Sequence, residues 1–333
     1  MSKRDRKRRE LFDDYAANLT AYSRLSKELP QVTDVYVCPF CGQMFDRSAL
    51  DHPPKVSIEH GVPDALGGTL ATSTLICTCC NNRMGEKIDV HLANRLKTEA
   101  FFKGESNQSR RIWVTAAGQR VRADWFIEQG EGTNHTIRYD ERRSPKGAVE
   151  ALQAAMPLAM SDPAKFTMQV SFEFSFIQRI TRVALLRIGF LRMFRQFGYA
   201  YIFHPNVQRV REQILNPREE IIPEKVIAFE PKDLEREIDW VGIVHTPQDW
   251  KSFVVPVRLK PRNSKHTFFR GVVMPGLDAG GDGVYDVLHD SAQRGERYEC
   301  SFTKCGYTRA CLTDPEYTLL AYDLWNDFSV KAG

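Results

Sequence analysis

The chain has 333 residues, 42% hydrophobic and 26% charged, an ordinary globular composition that excludes disorder over most of its length. At about 100–200 residues per domain, this length predicts two domains, or one large domain with an appendage. Lys and Arg number 46 against 42 Asp and Glu, a net charge of +4. Any attraction to a polyanion must therefore come from local patches.

The first patch is Lys3 to Arg9, six basic residues around Asp5. It reads as a solvated terminal tail, with phosphate contact as the alternative. No apolar segment follows it, so it is not a secretory signal. No run approaches the ~18 apolar residues of a membrane helix. The most apolar stretch, Val183 to Phe194, is broken by Arg187 and Arg192. The expected compartment is the cytoplasm, with no membrane partner. Arg9 to Leu29 predicts a helix, with Leu11, Tyr15, Leu19, Tyr22 and Leu25 in a three-and-four repeat and Pro30 ending it.

Eight cysteines follow, five of them between residues 38 and 80. Without a secretion signal, close pairs read as metal ligands rather than disulfides. Cys38-Pro-Phe-Cys41 and Cys77-Thr-Cys-Cys80 are two C-x2-C pairs. Two residues between thiolates let both sulfurs of a knuckle reach one tetrahedral ion at ~2.3 Å, so the four predict a closed structural Zn²⁺ site. Cys79 lies inside the second pair and is the competing ligand for Cys80.

Between the pairs, Ser57 to His60 predicts a strand, Gly67-Gly68 a turn and Leu75 to Cys77 a second strand. Asn81 is then placed to cap a helix in which Met84, Ile88, Leu92 and Leu96 recur every four residues. Strand, loop, strand and helix over a zinc clip bring Glu59 and His60 near the first turn of that helix. A His beside a carboxylate facing a helix start suits a divalent ion and a phosphate.

Residues 38–96 resemble an HNH endonuclease domain of the ββα-metal, treble-clef-like type. The matching string is C-x2-C, then Glu59-His60-x2-Pro-x2-Leu-Gly-Gly, then C-x2-C-Asn81. The resemblance implies His60 as the general base that activates water. It implies Glu59 and Asn81 as ligands of a catalytic Mg²⁺ or Mn²⁺, and Arg83 as a contact to the nucleic-acid backbone. Cys38, Cys41, Cys77 and Cys80 would hold the structural zinc. Asn82 follows Asn81 and leaves the ligand position open by one residue. Where the family has a middle Asn orienting the loop of the catalytic His, this chain has Thr72-Ser73-Thr74, and Thr74 is the candidate for that hydrogen bond.

Residues 111–141 predict strands at Ile112–Val114, Arg120–Arg122, Trp125–Ile127 and Thr136–Tyr139. Arg110, Arg111, Arg120 and Arg122 could line a phosphate-facing ribbon, the alternative being charges kept for solubility. Pro145 to Met160 predicts a helix. Lys165 to Phe176 alternates strictly and predicts a half-buried strand. Phe176 to Tyr199 predicts a long buried helix whose arginines scatter around the wheel and snorkel at its ends. Asn206 to Leu215 predicts a short helix, and 239–245, 252–259 and 267–274 predict strands. The loop 275–283 lacks calcium-loop spacing. Cys300, Cys305 and Cys311 form no knuckle.

The expected fold class is α+β, a small zinc-clipped ββα-metal nuclease domain followed by a larger α+β domain. The expected order is a basic arm and helix over 1–29, the HNH domain over 30–100, a strand-rich connector over 101–144 and an α+β region over 145–333 for recognition, sensing or oligomerisation. The function expected is a metal-dependent endonuclease acting on DNA, with a second copy of the chain or an associated defence protein as further partners. A nuclease followed by a larger domain resembles bacterial or phage-defence effectors in architecture. The alternative is a catalytically silent, zinc-containing nucleic-acid-binding or scaffold protein.

Overall fold

The computed structural model describes residues 1–26, 29–51, 53–106, 108–129, 133–161, 167–230, 241–245, 251–277, 281–294 and 303–305. Within them the chain opens with α1 (Lys3–Leu25), the strand pair β1 (Tyr36–Val37) and β2 (Met44–Phe45), and the ribbon β3 (Val56–His60) and β4 (Ser73–Cys77). Next comes α2 (Thr78–Met84), which passes through a π-helical turn at Gly85–Asp89 into α3 (Val90–Phe102). The middle of the chain holds β5 (Arg110–Ala116), β6 (Gln119–Gln129), β7 (Thr133–Tyr139), α4 (Ala148–Ser161) and β8 (Gln169–Ser171). The remainder holds α5 (Gln178–Phe197), α6 (Tyr199–Ile202), α7 (Gln208–Leu215), β9 (Ala228–Phe229), β10 (Val241–His245), β11 (Lys251–Leu259), β12 (Phe268–Met274), α8 (Val284–Arg294) and β13 (Thr303–Cys305). Mixed α+β architecture, with a cysteine-rich ββα segment followed by a larger region, is as the sequence predicts.

The chain forms two compact units. Unit 1 is Met1–Leu92, Ile177–Leu259 and Phe268–Gly333, and unit 2 is Ala93–Phe176 with Lys260–Thr267. The ββα segment thus shares a unit with the long helix α5.

In unit 1, α1 begins at Lys3, six residues before its predicted start, so the basic run forms its first turns and is not a loose tail. The cause is local: Ser2 caps the helix, its Oγ accepting from the Asp5 backbone N–H at 3.1 Å and donating to the Asp5 carboxylate at 2.7 Å. The helix ends at Leu25, short of Pro30. Its apolar face is Leu11, Phe12, Tyr15 and Leu19, all buried, and the Tyr15 ring stacks on Phe194 of α5 at 4.4 Å. Helix α5 is the spine of the unit. Gly189 lets it lie close on β12, since a Cβ there would stand 2.8 Å from Val272 Cγ1. β12 belongs to the antiparallel sheet β13-β10-β11-β12-β9. The expected snorkelling fails at Arg187, which is fully buried in mid-helix. The helix stops at Gly198, φ +62°, where a Cβ would strike the Asn18 amide at 2.1 Å.

Unit 2 is built on the antiparallel sheet β7-β6-β5-β8. One face, with Ile112, Val114, Val121 and Ala123, packs on Ala148, Val149 and Leu152 of α4. The two short strands expected at 120–122 and 125–127 are one continuous strand, β6, because no Gly or Pro separates them at Ala123-Asp124. The alternation from 165 to 176 yields only three paired residues, β8, opposite Trp113 to Thr115. Val170 and Phe172 pack against the core, whereas Met168 and Phe174 are exposed. Lys165 and Phe166 lie outside the described residues, as do 239–240, 278–280, Cys300 and Cys311; Cys305 is described only as part of β13.

Candidate active site

The chain brings Cys38, Cys41, Cys77 and Cys80 together, with all four sulfurs within 4.8 Å of one another. Cys41 Sγ and Cys77 Sγ are 3.8 Å apart, close to the edge of a tetrahedron with ~2.3 Å metal–sulfur bonds. Cys79 is exposed and outside this group, which settles the competition with Cys80. A thiol hydrogen bond from Cys38 pulls Cys77 down to about 4, and contacts with Cys38 and Cys77 push Cys80 up. Sulfurs this close need a cation before all can ionise, so the donor set fits Zn²⁺. The first knuckle is anchored in the core: Phe40 packs on Phe190 at 5.2 Å, and the Tyr199 hydroxyl donates to Val37 O and accepts from Val37 N, both at 2.8 Å.

Above the cysteines, β3 and β4 pair antiparallel, with Glu59 opposite Thr74 and His60 opposite Ser73. The helix starts earlier than predicted. Cys77 is its N-cap, its sulfur accepting from Cys80 N at 3.3 Å, so Asn81 lies inside the helix and does not cap it. Met84, Ile88, Leu92 and Leu96 are buried as their period requires. Asn81 Nδ2 donates to Ser57 Oγ at 3.0 Å. Ser57 and Glu59 share one face of β3 by strand alternation, and this bond therefore puts Asn81 on the face of Glu59.

His60 ends the strand on the opposite side, where the loop turns back. Gly61 N donates to Thr72 O at 3.1 Å, and Gly67 takes φ +91°. A Cβ on Gly68 would stand 1.7 Å from Val62 O and 3.0 Å from His60 Cβ. Gly67 is thus required by its left-handed backbone and Gly68 by close packing against the His60 loop. His60 Nδ1 is buried and has no hydrogen-bond partner among the described residues. Thr74 does not bond this loop. Its hydroxyl is 2.6 Å from the Tyr15 hydroxyl of α1, both groups buried, so the ribbon is fixed to α1 where the missing Asn would have held the loop.

Glu59 is buried and ion-paired to Arg187, whose other nitrogen reaches Asp89 Oδ1 at 3.1 Å. Arg187 and Asp89 escaped the sequence reading, since an arginine in an apolar helix carries no local sign of its partners. Burial raises Asp89 to about 6, Arg187 opposing the shift and Glu59 adding to it. Glu59 and Asn81 offer oxygen donors on one face, the hard-ligand type that Mg²⁺ or Mn²⁺ takes together with water and phosphate. Arg83 is exposed and donates to Leu215 O at 3.0 Å. Arg110 and Arg111 belong to unit 2, where Arg110 is half-buried, donating to Thr98 Oγ1 at 2.7 Å, and Arg111 is exposed.

Among the described residues no helix is long and apolar enough to cross a membrane. Comparison with curated proteins and with solved structures returned no match. Residues 38–97, under a fifth of the chain, match the family model described as HNH endonuclease. By that match the cysteine-clipped ββα segment is an HNH domain, whose family implies a nuclease-type function and a nucleic-acid substrate.

Proposed function

We propose that the protein is a metal-dependent HNH endonuclease that hydrolyses phosphodiester bonds in DNA. The observation that carries this reading is the family match over the segment containing Glu59, His60 and Asn81. In it, His60 accepts the proton of the attacking water, and its neutral imidazole is the base for in-line displacement at phosphorus. Glu59 and Asn81 hold the catalytic Mg²⁺ or Mn²⁺, which when bound neutralises charge on the scissile phosphate and the leaving oxygen. Cys38, Cys41, Cys77 and Cys80 carry zinc as a structural clip. Arg83 steadies the DNA backbone, with Arg110 and Arg111 as further phosphate contacts. The extension to a bacterial or phage-defence effector rests on the order of parts, a nuclease segment followed by a larger region.

One observation favours the second reading, a silent zinc-containing nucleic-acid-binding or scaffold protein. Glu59 is already neutralised by Arg187, so a cation entering there must share the carboxylate. Plasmid nicking by the full chain, with and without Mg²⁺ or Mn²⁺, beside His60→Ala, separates the two. Metal-dependent nicking lost in the variant supports the nuclease. Equal nicking by the variant removes the general base, and no nicking by the wild-type chain under any metal favours the scaffold.

A further inference from the structure

Unit 2 carries a cleft around Arg110 and Arg111, and the HNH reading leaves open what kind of nucleic acid would lie in it. Strand β8 runs beside β5 only as far as the Trp113–Ser171 pair. The chain then leaves the sheet, and a cavity of about 550 Å³ opens beside Arg110 to Ile112, lined by Arg111, Trp113, Arg122, Trp125, Phe172 and Phe174 among others. A second cavity of about 360 Å³ shares Arg111, Trp113 and Arg122 with the first. The two adjoin at these residues and make up a track, the smaller cavity also being lined by Asp124, Asp140 and Arg143.

Two kinds of group meet there. Arg122 lies over the Trp113 ring with its guanidinium carbon 3.9 Å from the centroid. Stacking uses the faces of a guanidinium and leaves its N–H edge for an oxyanion. Neither Arg111 nor Arg122 has a carboxylate partner among the described residues. Asp124, opposite Arg111 in the register, instead accepts from Ser109 Oγ at 3.4 Å. Among the described residues Glu173 is the one acid lining the larger cavity, against Arg110, Arg111 and Arg122. Phe174 is 58% exposed and meets Phe172 edge-on at 4.9 Å, which leaves its ring open to a planar partner. A pocket of this volume is of ligand size. Unpaired arginines beside open aromatic rings are the lining that tracks a phosphate backbone and stacks its bases.

We propose that this track binds a segment of single-stranded nucleic acid, with Arg111 and Arg122 on its phosphates and Phe174 under a base. Two adjoining cavities that share Arg111 and Arg122 fit a strand better than a lone nucleotide. The proposal concerns binding only and does not depend on cutting by the HNH domain.

The test uses the full chain carrying His60→Ala, so that a substrate is not consumed whether or not the parent cuts. Binding of short fluorescein-labelled single-stranded DNA and RNA is followed by anisotropy across a salt series, beside duplex DNA and a free mononucleotide. Arg111→Glu should weaken single-strand binding at least about tenfold and flatten the salt slope by about 0.7 per lost phosphate contact. Phe174→Ala should weaken it about tenfold with the slope unchanged, the mark of lost stacking. Both residues are exposed, so an unchanged thermal midpoint is expected and confirms that the fold is intact. Single-strand affinity that neither substitution alters overturns the proposal. Binding confined to the mononucleotide, or to duplex, overturns it as well.

Discussion

Arg187 Nη1 lies 3.1 Å from Asp89 Oδ1, while the same guanidinium holds Glu59 through its other arm. One buried cation from α5 thereby ties the last residue but one of β3 to the π-helical turn after α2. The arrangement is two acids to one base in the interior, and Arg187 Nε has no partner among the described residues.

Removing the cation should be costly. Arg187→Met leaves two carboxylates buried without compensation, and a loss of about 3–5 kcal/mol is expected in urea unfolding. Adding Asp89→Asn to that variant should recover part of the loss, because one of the stranded charges is gone. If Arg187→Met unfolds at the wild-type midpoint, the ion cluster contributes nothing to the fold.

The same cluster predicts a pH dependence with a definite sign. Asp89 holds its proton to about pH 6 in the fold, against about 3.9 in an unfolded chain. A raised carboxyl favours the folded state while protonated. This contribution is complete below about pH 4 and is lost as the pH rises through 6, a change of about 3 kcal/mol. Arg187 and Glu59 are the charged groups that face it. Asp89→Asn should therefore gain stability relative to wild type between pH 5 and 7.5, read from paired denaturation curves. A stability difference independent of pH would show that Asp89 titrates as an ordinary carboxyl.

Zinc is the next test. Cys38→Ser and Cys80→Ser should each lose bound zinc and soluble protein, because such sites contribute folding free energy directly. Cys79→Ser should keep full zinc content, since its sulfur lies outside the cluster. Metal analysis of the purified variants decides it. Full zinc in Cys38→Ser would dismantle the four-sulfur assignment.

What the sequence made legible was local. The cysteine spacing, the Glu59-His60 dyad and the four-residue period from Met84 to Leu96 each lie within a few turns of chain, and each finds its place in the ββα segment. Partners across long separations left no such sign. Arg187 meets Glu59 across 128 residues, and a wheel plot of α5 shows only an arginine among apolar neighbours. Unit 2 is closed by the returning segment 260–267, through Lys265 N donating to Glu105 O at 2.9 Å and a bridge between Ser106 and Ser264. Neither segment has a pattern that names the other. The substitution of Thr74 for the family's Asn was visible, but its partner, Tyr15 of α1, is 59 residues away.

That pair gives a double-mutant cycle. Tyr15→Phe leaves the buried Thr74 hydroxyl without its partner and should cost about 1–3 kcal/mol. Thr74→Val added to the Tyr15→Phe variant should cost less than it does alone, since the hydroxyl it removes is already stranded. Additive losses would mean that the 2.6 Å contact carries no coupling.

The loop that bears His60 can be tested without touching any ionisable group. Gly68→Ala places a methyl 1.7 Å from Val62 O and 3.0 Å from His60 Cβ. The backbone must move by more than the flexibility of one side chain can absorb, and His60 moves with it. Misplacement of a catalytic group by about 1 Å can cost a hundredfold in rate, so nicking should fall by about that factor in a chain whose zinc content is unchanged. Gly61→Ala, with its Cβ 2.8 Å from Thr72 O, should act in the same direction and more weakly, because the overlap is smaller. Wild-type nicking rates in both variants would show that this loop does not position the base, and the role of His60 would then have to be carried by its strand alone.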